Sequence, residues 1–351
     1  MDFQLTEEQQ AIRKMARDFA TAELEPVAAH YDETKEFPWE NVRKMAELGF
    51  MAMAIPEQYG GSGTDNVSYA LVVEEVSRAC ASSGVIMSAN NSLVCWGLNE
   101  YGTHEQKEKF LKPLASGQKV GAFALTEPNA GSDAGSLQTT AVRDGDDWII
   151  NGTKVFITNG GVAEVILVMA SSDRSLGSRG ITTFIVEKSS PGFKVGKREN
   201  TLGIRASNTS ELIFDNCRIP KENQLSPLGK GYRFALETLD GGRIGIAAQA
   251  VGIAQASLEA SVSYSKQRTQ FGKVIAEFQA IQWMIADMAT EIAAARWLTL
   301  NAANTKDKGL PHGKESAMAK LYASKVAVRA ALDAVQIHGG YGYVTEYPVE
   351  R

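Results

Sequence analysis

Four stretches of the chain combine residue types that could hold a flat polar ligand and its phosphates. The densest is Phe123-Ala124-Leu125-Thr126-Glu127-Pro128-Asn129-Ala130-Gly131-Ser132-Asp133-Ala134-Gly135, where an apolar run enters a proline turn and then a loop of small residues and hydroxyls. Such a loop lets backbone N–H groups and short hydroxyls approach a flat ligand closely; its composition also suits an ordinary surface turn. A second stretch, Lys154-Val155-Phe156-Ile157-Thr158-Asn159-Gly160-Gly161, reads as an aromatic strand ending in a turn. It could give a ring system an apolar wall and a hydroxyl donor. In the third, Tyr264 to Lys273, Arg268 has the fork geometry to pair with a phosphate or to sit in solvent at a helix end. The fourth, Gln336-Ile337-His338-Gly339-Gly340-Tyr341-Gly342, puts three glycines at a helix C-terminus. A plain cap accounts for one, so the excess suggests close approach by a ligand or a second chain.

Other chemistries lack their residues. No GxGxxG follows a strand, and Gly229-Lys230-Gly231 lacks the spacing of a phosphate-binding P-loop. The four histidines (His30, His104, His312, His338) are scattered, with no HExxH, so no metal site is expected. His338-Gly339-Gly340 has the look of an esterase oxyanion motif, but no GxSxG elbow accompanies it, which leaves a hydrolase as a runner-up. Cys80, Cys95 and Cys217 lie far apart and form neither a disulfide framework nor a CxxC pair.

The elements that must position these stretches fall into three zones. Thr6-Glu7-Glu8-Gln9 is a capping box, and Ile12, Met15, Ala16, Phe19 and Ala20 follow at helical spacing. Pro26 should let that helix run no further than about one turn beyond it. Further helices are expected over 38–48, 67–81 and 105–114. From about Gly121 to Pro220 the period changes to short β-rich runs at 138–142, 148–150, 154–158, 165–169, 181–186 and 211–214, with a hairpin at Asp144-Gly145. Strands this close, without intervening helices, predict an antiparallel sandwich or barrel. From about Gly229 the helical period returns. Phe278, Ile281, Ile285, Met288 and Ile292 form one bundle seam, and Met318, Leu321, Val328, Leu332 and Val335 a second. The domains are thus expected at 1–120 (helical), 121–225 (β) and 226–351 (helical bundle), an α+β multi-domain chain.

Length and charge agree with that reading. At roughly 150 residues per domain, 351 residues allow two to three domains. With 36 basic and 41 acidic side chains the net charge is −5, which excludes a generally basic nucleic-acid binder. The acidic start, Met-Asp-Phe-Gln-Leu-Thr-Glu-Glu, does not resemble a signal or transit peptide, and the weakly polar run Ile244 to Ala256 is too short to span a bilayer. No membrane insertion and a cytoplasmic location are expected.

Taken together and in order, the four stretches resemble the acyl-CoA dehydrogenase family from Phe3 to Arg351, and Asn90-Asn91-Ser92-Leu93 with Leu239-Asp240-Gly241-Gly242-Arg243-Ile244-Gly245 look like its short-chain (butyryl-CoA) branch. The resemblance implies an N-terminal helical domain, a central antiparallel β-domain and a C-terminal four-helix bundle. FAD would lie between the β-domain and the bundle, with its adenine end reaching a neighbouring subunit. Phe123, Leu125, Thr126 and Ser132 would line the flavin, and Phe156, Ile157 and Thr158 would cover its other face. Arg268, Phe271 and Gln279 would hold the pyrophosphate and adenosine, with Gln336, Gly339 and Gly340 serving from the partner subunit. Ser132 and the Asp240, Gly241, Gly242, Arg243 segment would contact acyl-CoA. The implied reaction is α,β-dehydrogenation of a short-chain acyl-CoA to the trans-2-enoyl-CoA. Electrons would pass to an electron-transfer flavoprotein, and the assembly would be a homotetramer, a dimer of dimers.

Such chemistry needs a base for the α-proton and an acceptor for the β-hydride. By the family's short-chain pattern the base is a glutamate about a dozen residues beyond the Pro-Val-Glu-Arg that ends this sequence. The expectation is therefore that the catalytic glutamate lies beyond Arg351, that the sequence is a shortened copy of a dehydrogenase, and that the 351-residue chain has weak or no dehydrogenase activity. Gly242, at the position that carries the base in a minority of relatives, cannot serve, and Glu237, Glu346 and Glu350 are not assigned the role. The alternative is an acyl-CoA- and FAD-binding homologue, or a lyase that needs no such base.

Overall fold

The computed structural model describes residues 4–351; Phe3, where the resemblance begins, lies outside them, as do the first two residues of the acidic start. The chain forms two compact units, each built from separated segments: 1–36, 65–85 and 243–351 in one, and 37–64 and 86–242 in the other.

The first unit is helical. Helix α1 (Glu7–Phe19) starts at the expected capping box, Thr6 accepting from the Gln9 N–H while the Gln9 side chain returns to the Thr6 N–H. A π-helical turn, Ala20–Leu24, leads into α2 (Glu25–Thr34), so the helix runs past Pro26 for longer than its ring was expected to permit. The wider turn and the place of Pro26 in the first turn of α2 explain this, because an amide N–H missing there breaks no helical bond. After α3 (Trp39–Glu47), which belongs to the other unit, α4 (Asn66–Ala79) returns to this one, with Asp65 capping it through the Ser68 N–H at 2.6 Å.

Four helical segments of this unit are tied together by charge. Glu75, 1% exposed on α4, meets Arg13 (2.9 Å) and Arg17 (3.2 Å) of α1 and Arg78 (3.4 Å) one turn on. Glu74 meets Arg296, which also donates to Gln255 at 2.9 Å.

The second unit holds the β-structure and further helices. Helix α5 (Ala81–Ser88), whose first five residues belong to the first unit, runs through a π-helical turn, Ala89–Cys95, into α6 (Trp96–Tyr101), and a second such turn, Lys107–Leu111, joins α7 (His104–Gln106) to α8 (Lys112–Ala115). The stretch 81–101 carries no helical signal in the sequence because buried polar side chains (Ser82, Ser83, Ser88, Asn90, Asn91, Ser92) alternate with its buried apolar ones, so no apolar stripe stands out. Seven strands follow: β1 (Gly121–Ala124), β2 (Thr140–Asp144), β3 (Asp147–Thr158), β4 (Val165–Ser171), β5 (Ile181–Glu187), β6 (Phe193–Arg198) and β7 (Thr209–Pro220), ordered β1-β4-β2-β3-β7-β6 with β5 also on β4.

The expected hairpin joins β2 to β3 through Gly145 and Asp146. Runs 148–150 and 154–158, expected as two strands, are one strand, β3, whose turn-like centre is a register shift against β7 between Ile150 and Gly152. The sheet is mostly antiparallel, but β1 pairs parallel with β4, so it is not a pure antiparallel sandwich. β4 is buried along its whole length. Ile166, Val168 and Ala170 join the sheet's own core with Trp148, Phe184 and Phe214, while Val165 and Leu167 pack with Leu98, Phe110, Leu114 and Phe234. Burying each such side chain contributes about 1.5–3 kcal/mol.

Helix α9 (Gly231–Gln267) contributes residues up to Gly242 to the second unit and from Arg243 to the first. A short hairpin, β8 (Thr269–Gln270) and β9 (Lys273–Val274), precedes α10 (Gln279–Asp307) and α11 (Gly313–His338). Met288 and Ile292 of the first expected seam are buried. The second seam is turned the other way: Met318, Leu321, Val328 and Leu332 are exposed, and Ala319, Ala323, Ala330 and Ala334 face inward. Small side chains let packed helices come closer, and here packing overrode the ranking of hydrophobicity. Among the described residues no helix is long and apolar enough to cross a membrane.

Candidate active site

In the second unit the loop after β1 is built around a buried charge pair. Glu127 and Ala130 exchange backbone hydrogen bonds at 3.1 Å across Pro128-Asn129, closing a tight turn. The Glu127 carboxylate accepts from the backbone N–H of Gln138 (2.5 Å) and Thr139 (3.0 Å), which staples the far end of the loop to its start. Its third partner is the Lys154 ammonium at 2.7 Å. Lys154, fully buried on β3, also donates to the Leu125 carbonyl at 3.0 Å. Burial pushes the Lys154 ammonium down to about 8, with Glu127 pulling the other way. Burial pushes the Glu127 carboxyl up, but the Lys154 charge and the donated hydrogen bonds outweigh it and hold the group below the usual carboxylate range.

Beside Lys154 the strand bulges. The register against β7 steps from Lys154/Leu212 to Ile157/Ser210, so two residues, Val155 and Phe156, oppose one, Glu211, and Phe156 adopts φ of 58°. A bulge re-aims a side chain. Lys154 and Ile157 point into the protein while Phe156 is 64% exposed. The Val155 N–H donates to the Thr126 carbonyl at 3.0 Å, joining this strand to the loop. The Thr126 N–H has no hydrogen-bond partner among the described residues. Phe123 and Thr158 are half-buried, Leu125 and Ile157 are buried, and Ser132 is exposed at the loop's tip.

Behind Phe123 lies a cluster of rings. Phe234 of α9 stacks on Phe123 (centroids 6.4 Å apart) and meets Tyr101 edge-on at 4.9 Å. The Tyr101 hydroxyl donates to Glu237, which also takes a hydrogen bond from Arg233 at 2.7 Å. Burial, then the Glu237 carboxylate, pushes the Tyr101 phenol up to about 12. Burial works against Glu237, but the Tyr101 and Arg233 hydrogen bonds hold it below the usual range. Further along α9, Gly241 and Gly242 are buried, and a Cβ at Gly242 would lie 2.7 Å from Leu93 Cδ2.

The first unit contributes a separate pocket of about 810 Å³, lined by Tyr264, Arg268, Gln270, Ile275, Ile337 to Tyr341, Val344, Glu346 and Tyr347. Tyr264 stacks on His338 with centroids 4.2 Å apart, and the Arg268 guanidinium lies 5.5 Å from the Tyr341 ring centre. His338 is buried with Nδ1 2.8 Å from the Ala334 carbonyl, and burial pushes it below its ordinary value.

Of Arg268, Phe271 and Gln279, expected at the pyrophosphate and adenosine, Arg268 lines this pocket and the other two do not; of Gln336, Gly339 and Gly340, expected to serve from the partner subunit, the two glycines line it and Gln336 does not. Phe271 is 92% exposed at the hairpin tip, its ring edge-on to Phe278. The surplus of glycines shrinks as well. Gly339 caps α11 at φ 59° and ψ −135°, a conformation that favours glycine, and a Cβ at Gly342 would lie 2.4 Å from the Val335 carbonyl oxygen, so only Gly340 lacks an internal reason. The Glu127–Lys154 pair and the Tyr101–Glu237–Arg233 chain were not foreseen. A lysine inside an apolar strand was the available signal for the first, but the bulge makes its direction unreadable from alternation.

Three family models match the chain: acyl-CoA dehydrogenase N-terminal domain over residues 6–118, middle domain over 122–217 and C-terminal domain over 229–351. The short-chain specific acyl-CoA dehydrogenase of Clostridium acetobutylicum is 52% identical over 351 residues, covering 100% of this chain and 93% of that protein. Butyryl-CoA dehydrogenase from Megasphaera elsdenii superposes with a TM-score of 0.97 at 48% identity, covering 100% of this chain and 93% of that one. A chain in the structure of the electron transferring flavoprotein of Acidaminococcus fermentans gives 0.99 at 52% identity, covering 100% and 92%.

Proposed function

The chain belongs to the acyl-CoA dehydrogenase family, and on that premise we propose that it oxidises a short-chain acyl-CoA to the trans-2-enoyl-CoA and passes the electrons to an electron-transfer flavoprotein. The enzyme is an FAD-dependent oxidoreductase. The short-chain preference and the electron acceptor are carried over from butyryl-CoA dehydrogenase and from the flavoprotein structure. This reading uses functional domains at 1–120, 121–225 and 226–351.

One observation supports flavin binding best. The Leu125 carbonyl is held inward by Lys154, and a trans peptide points its N–H opposite to its C=O. The Thr126 N–H of that same peptide therefore faces away from the protein, an oriented donor without a partner. Beside it the bulge turns the Phe156 ring outward. A donor and an apolar ring suit the edge and face of an isoalloxazine. Leu125, Thr126, Phe123 and Ser132 would hold its edge, and Phe156, Ile157 and Thr158 its face. Arg268 would hold the pyrophosphate, because a guanidinium pairs with phosphate oxygens in a bidentate way. Phe271 and Gln279 would serve the adenosine end, with Gln336, Gly339 and Gly340 serving from the partner subunit, and Ser132 with Asp240 to Arg243 would meet the acyl-CoA.

Bound FAD supplies the acceptor for the β-hydride, redox chemistry that no side chain here provides. The protein's own work is to orient, to exclude water and to take the α-proton. Neither Glu237, committed to Tyr101 and Arg233, nor Gly242, whose side-chain direction is filled by Leu93, takes that proton.

A homotetramer, a dimer of dimers, completes the proposal. The outer stripe of α11 (Met318, Leu321, Val328, Leu332) leaves apolar side chains exposed, as do Trp283 and Trp297 of α10, and contiguous exposed apolar surface marks an interface. Anaerobic titration of the FAD-loaded protein with butyryl-CoA tests the activity. With no described residue assigned as the base for the α-proton, slow or partial bleaching of the visible flavin band is the expected result. A bound flavin that no acyl-CoA bleaches would support the non-dehydrogenating alternative, and a protein that binds no flavin would overturn the reading.

A further inference from the structure

The Glu127–Lys154 pair calls for a role beyond stability. Replacing a buried ion pair by apolar groups of similar volume is often neutral or stabilising, so such a pair gives weak reason for a fold to need it. Its placement is more informative. Lys154 sits two residues before Phe156, on the inward side of the bulge that turns Phe156 outward. Glu127 directly follows Thr126, and its carboxylate binds the backbone at Gln138 and Thr139 at the loop's far end. Lys154 reaches the Leu125 carbonyl and Glu127 together. One buried ammonium thus fixes the peptide that presents the Thr126 N–H, and one buried carboxylate fixes both ends of the loop that carries it.

We propose that Glu127 and Lys154 are a positioning pair for the flavin: they lock the Leu125–Thr126 peptide so that its N–H stands ready as a donor to the ring edge, and they tie that loop to the bulged strand that bears Phe156. Neither side chain touches the ring, since both are buried beneath the backbone they hold. This rests on the flavin reading above. A donor fixed before the ligand arrives costs no ordering on binding. It also favours the electron-rich reduced ring over the oxidised one, as a preorganised dipole does for any developing negative charge. The pair should therefore act on flavin affinity and on flavin potential together.

The test compares the wild-type holoenzyme with Lys154→Met and with the double variant Lys154→Met/Glu127→Gln, which leaves no lone buried charge. For each, thermal melting reports folding, flavin fluorescence on dilution gives the FAD dissociation constant, and dye equilibration gives the midpoint potential of the bound flavin. Both variants are expected to bind FAD at least tenfold more weakly and to hold it at a lower potential, while melting cooperatively. A merely structural pair would lower the melting point and leave the potential unchanged. Wild-type affinity and potential in either folded variant overturns the proposal, and so does failure of both variants to fold, which would make the pair a folding element. A wild-type protein that takes up no FAD would instead defeat the flavin reading itself.

Discussion

Glu75→Gln should release helix α1 from the first unit. Glu75 is the centre of a cluster that joins α1 to α4, with Arg13, Arg17 and Arg78 at 2.9, 3.2 and 3.4 Å. Glutamine keeps the volume, so no cavity forms, and only the charge is removed. The cost depends on how dry each partner is. Arg78 is 7% exposed, and breaking a buried pair costs about 3–5 kcal/mol. Arg78 keeps Glu259 at 3.3 Å and Glu25 at 3.5 Å, which places its share at or below the bottom of that range. Arg13 and Arg17 are one-third exposed or more, and each contributes less than about 1 kcal/mol. Arg78 lies on α4 with Glu75, so its share does not hold α1; the Arg13 and Arg17 shares do, and together they come to less than about 2 kcal/mol. Hydrogen exchange by mass spectrometry reads the local opening of α1; about 1–2 kcal/mol corresponds to roughly 5- to 30-fold faster exchange. The control is Asp18→Asn, which breaks the exposed Lys14–Asp18 pair on the same helix and should cost no more than about 0.5 kcal/mol. Equal exchange in α1 of Glu75→Gln and wild type would refute the reasoning, as would an Asp18→Asn effect of the same size.

Three further outcomes are expected. Arg268→Gln should weaken FAD retention roughly 10- to 100-fold, the worth of charge-assisted hydrogen bonds of about 1.5–3 kcal/mol, read from the flavin-to-protein ratio after gel filtration. Leu332→Glu places a charge on the exposed stripe of α11 and should shift the assembly toward smaller species by light scattering, with the helical signal in circular dichroism unchanged. In acid, Glu259 should matter. Burial raises its pKa, but the hydrogen bonds from Arg17 and Gln255 and the charges of Arg17 and Arg78 hold it below 4.5. A depressed folded value means that its stabilisation is complete above about pH 4.5 and lost as pH falls through the folded value. Glu259→Gln should therefore flatten the acid limb of the urea midpoint against pH and leave its shape above pH 6 unaltered.

Much of the architecture was legible from periodicity and caps. The Thr6–Gln9 box, the Asp144–Gly145 hairpin and the seam through Met288 and Ile292 are local or short-range patterns, and local patterns survive folding. The misreadings share one cause, competition between local signals and packing. Asn151-Gly152-Thr153 looks like a turn but is carried through β3 as a register shift because β7 runs the whole length beside it. α11 has two stripes at helical spacing, and the larger side chains looked like the core until the alanines were found packed inward. The helical stretch 81–101 left no period because buried polar side chains alternate with its buried apolar ones.

The candidate site divides the same way. Residue types and order singled out the loop 123–135, the strand 154–161, Arg268 and the glycine turn at 339–342 as candidates, and it was their joint resemblance to a family that implied a cofactor there. Sequence could not decide which of those groups face out. That Lys154 points inward to Glu127 while Phe156 points outward is set by one extra residue in one strand. A bulge reverses alternation at a position no periodicity marks, and only the paired strand, fixed by the tertiary structure, shows where it falls.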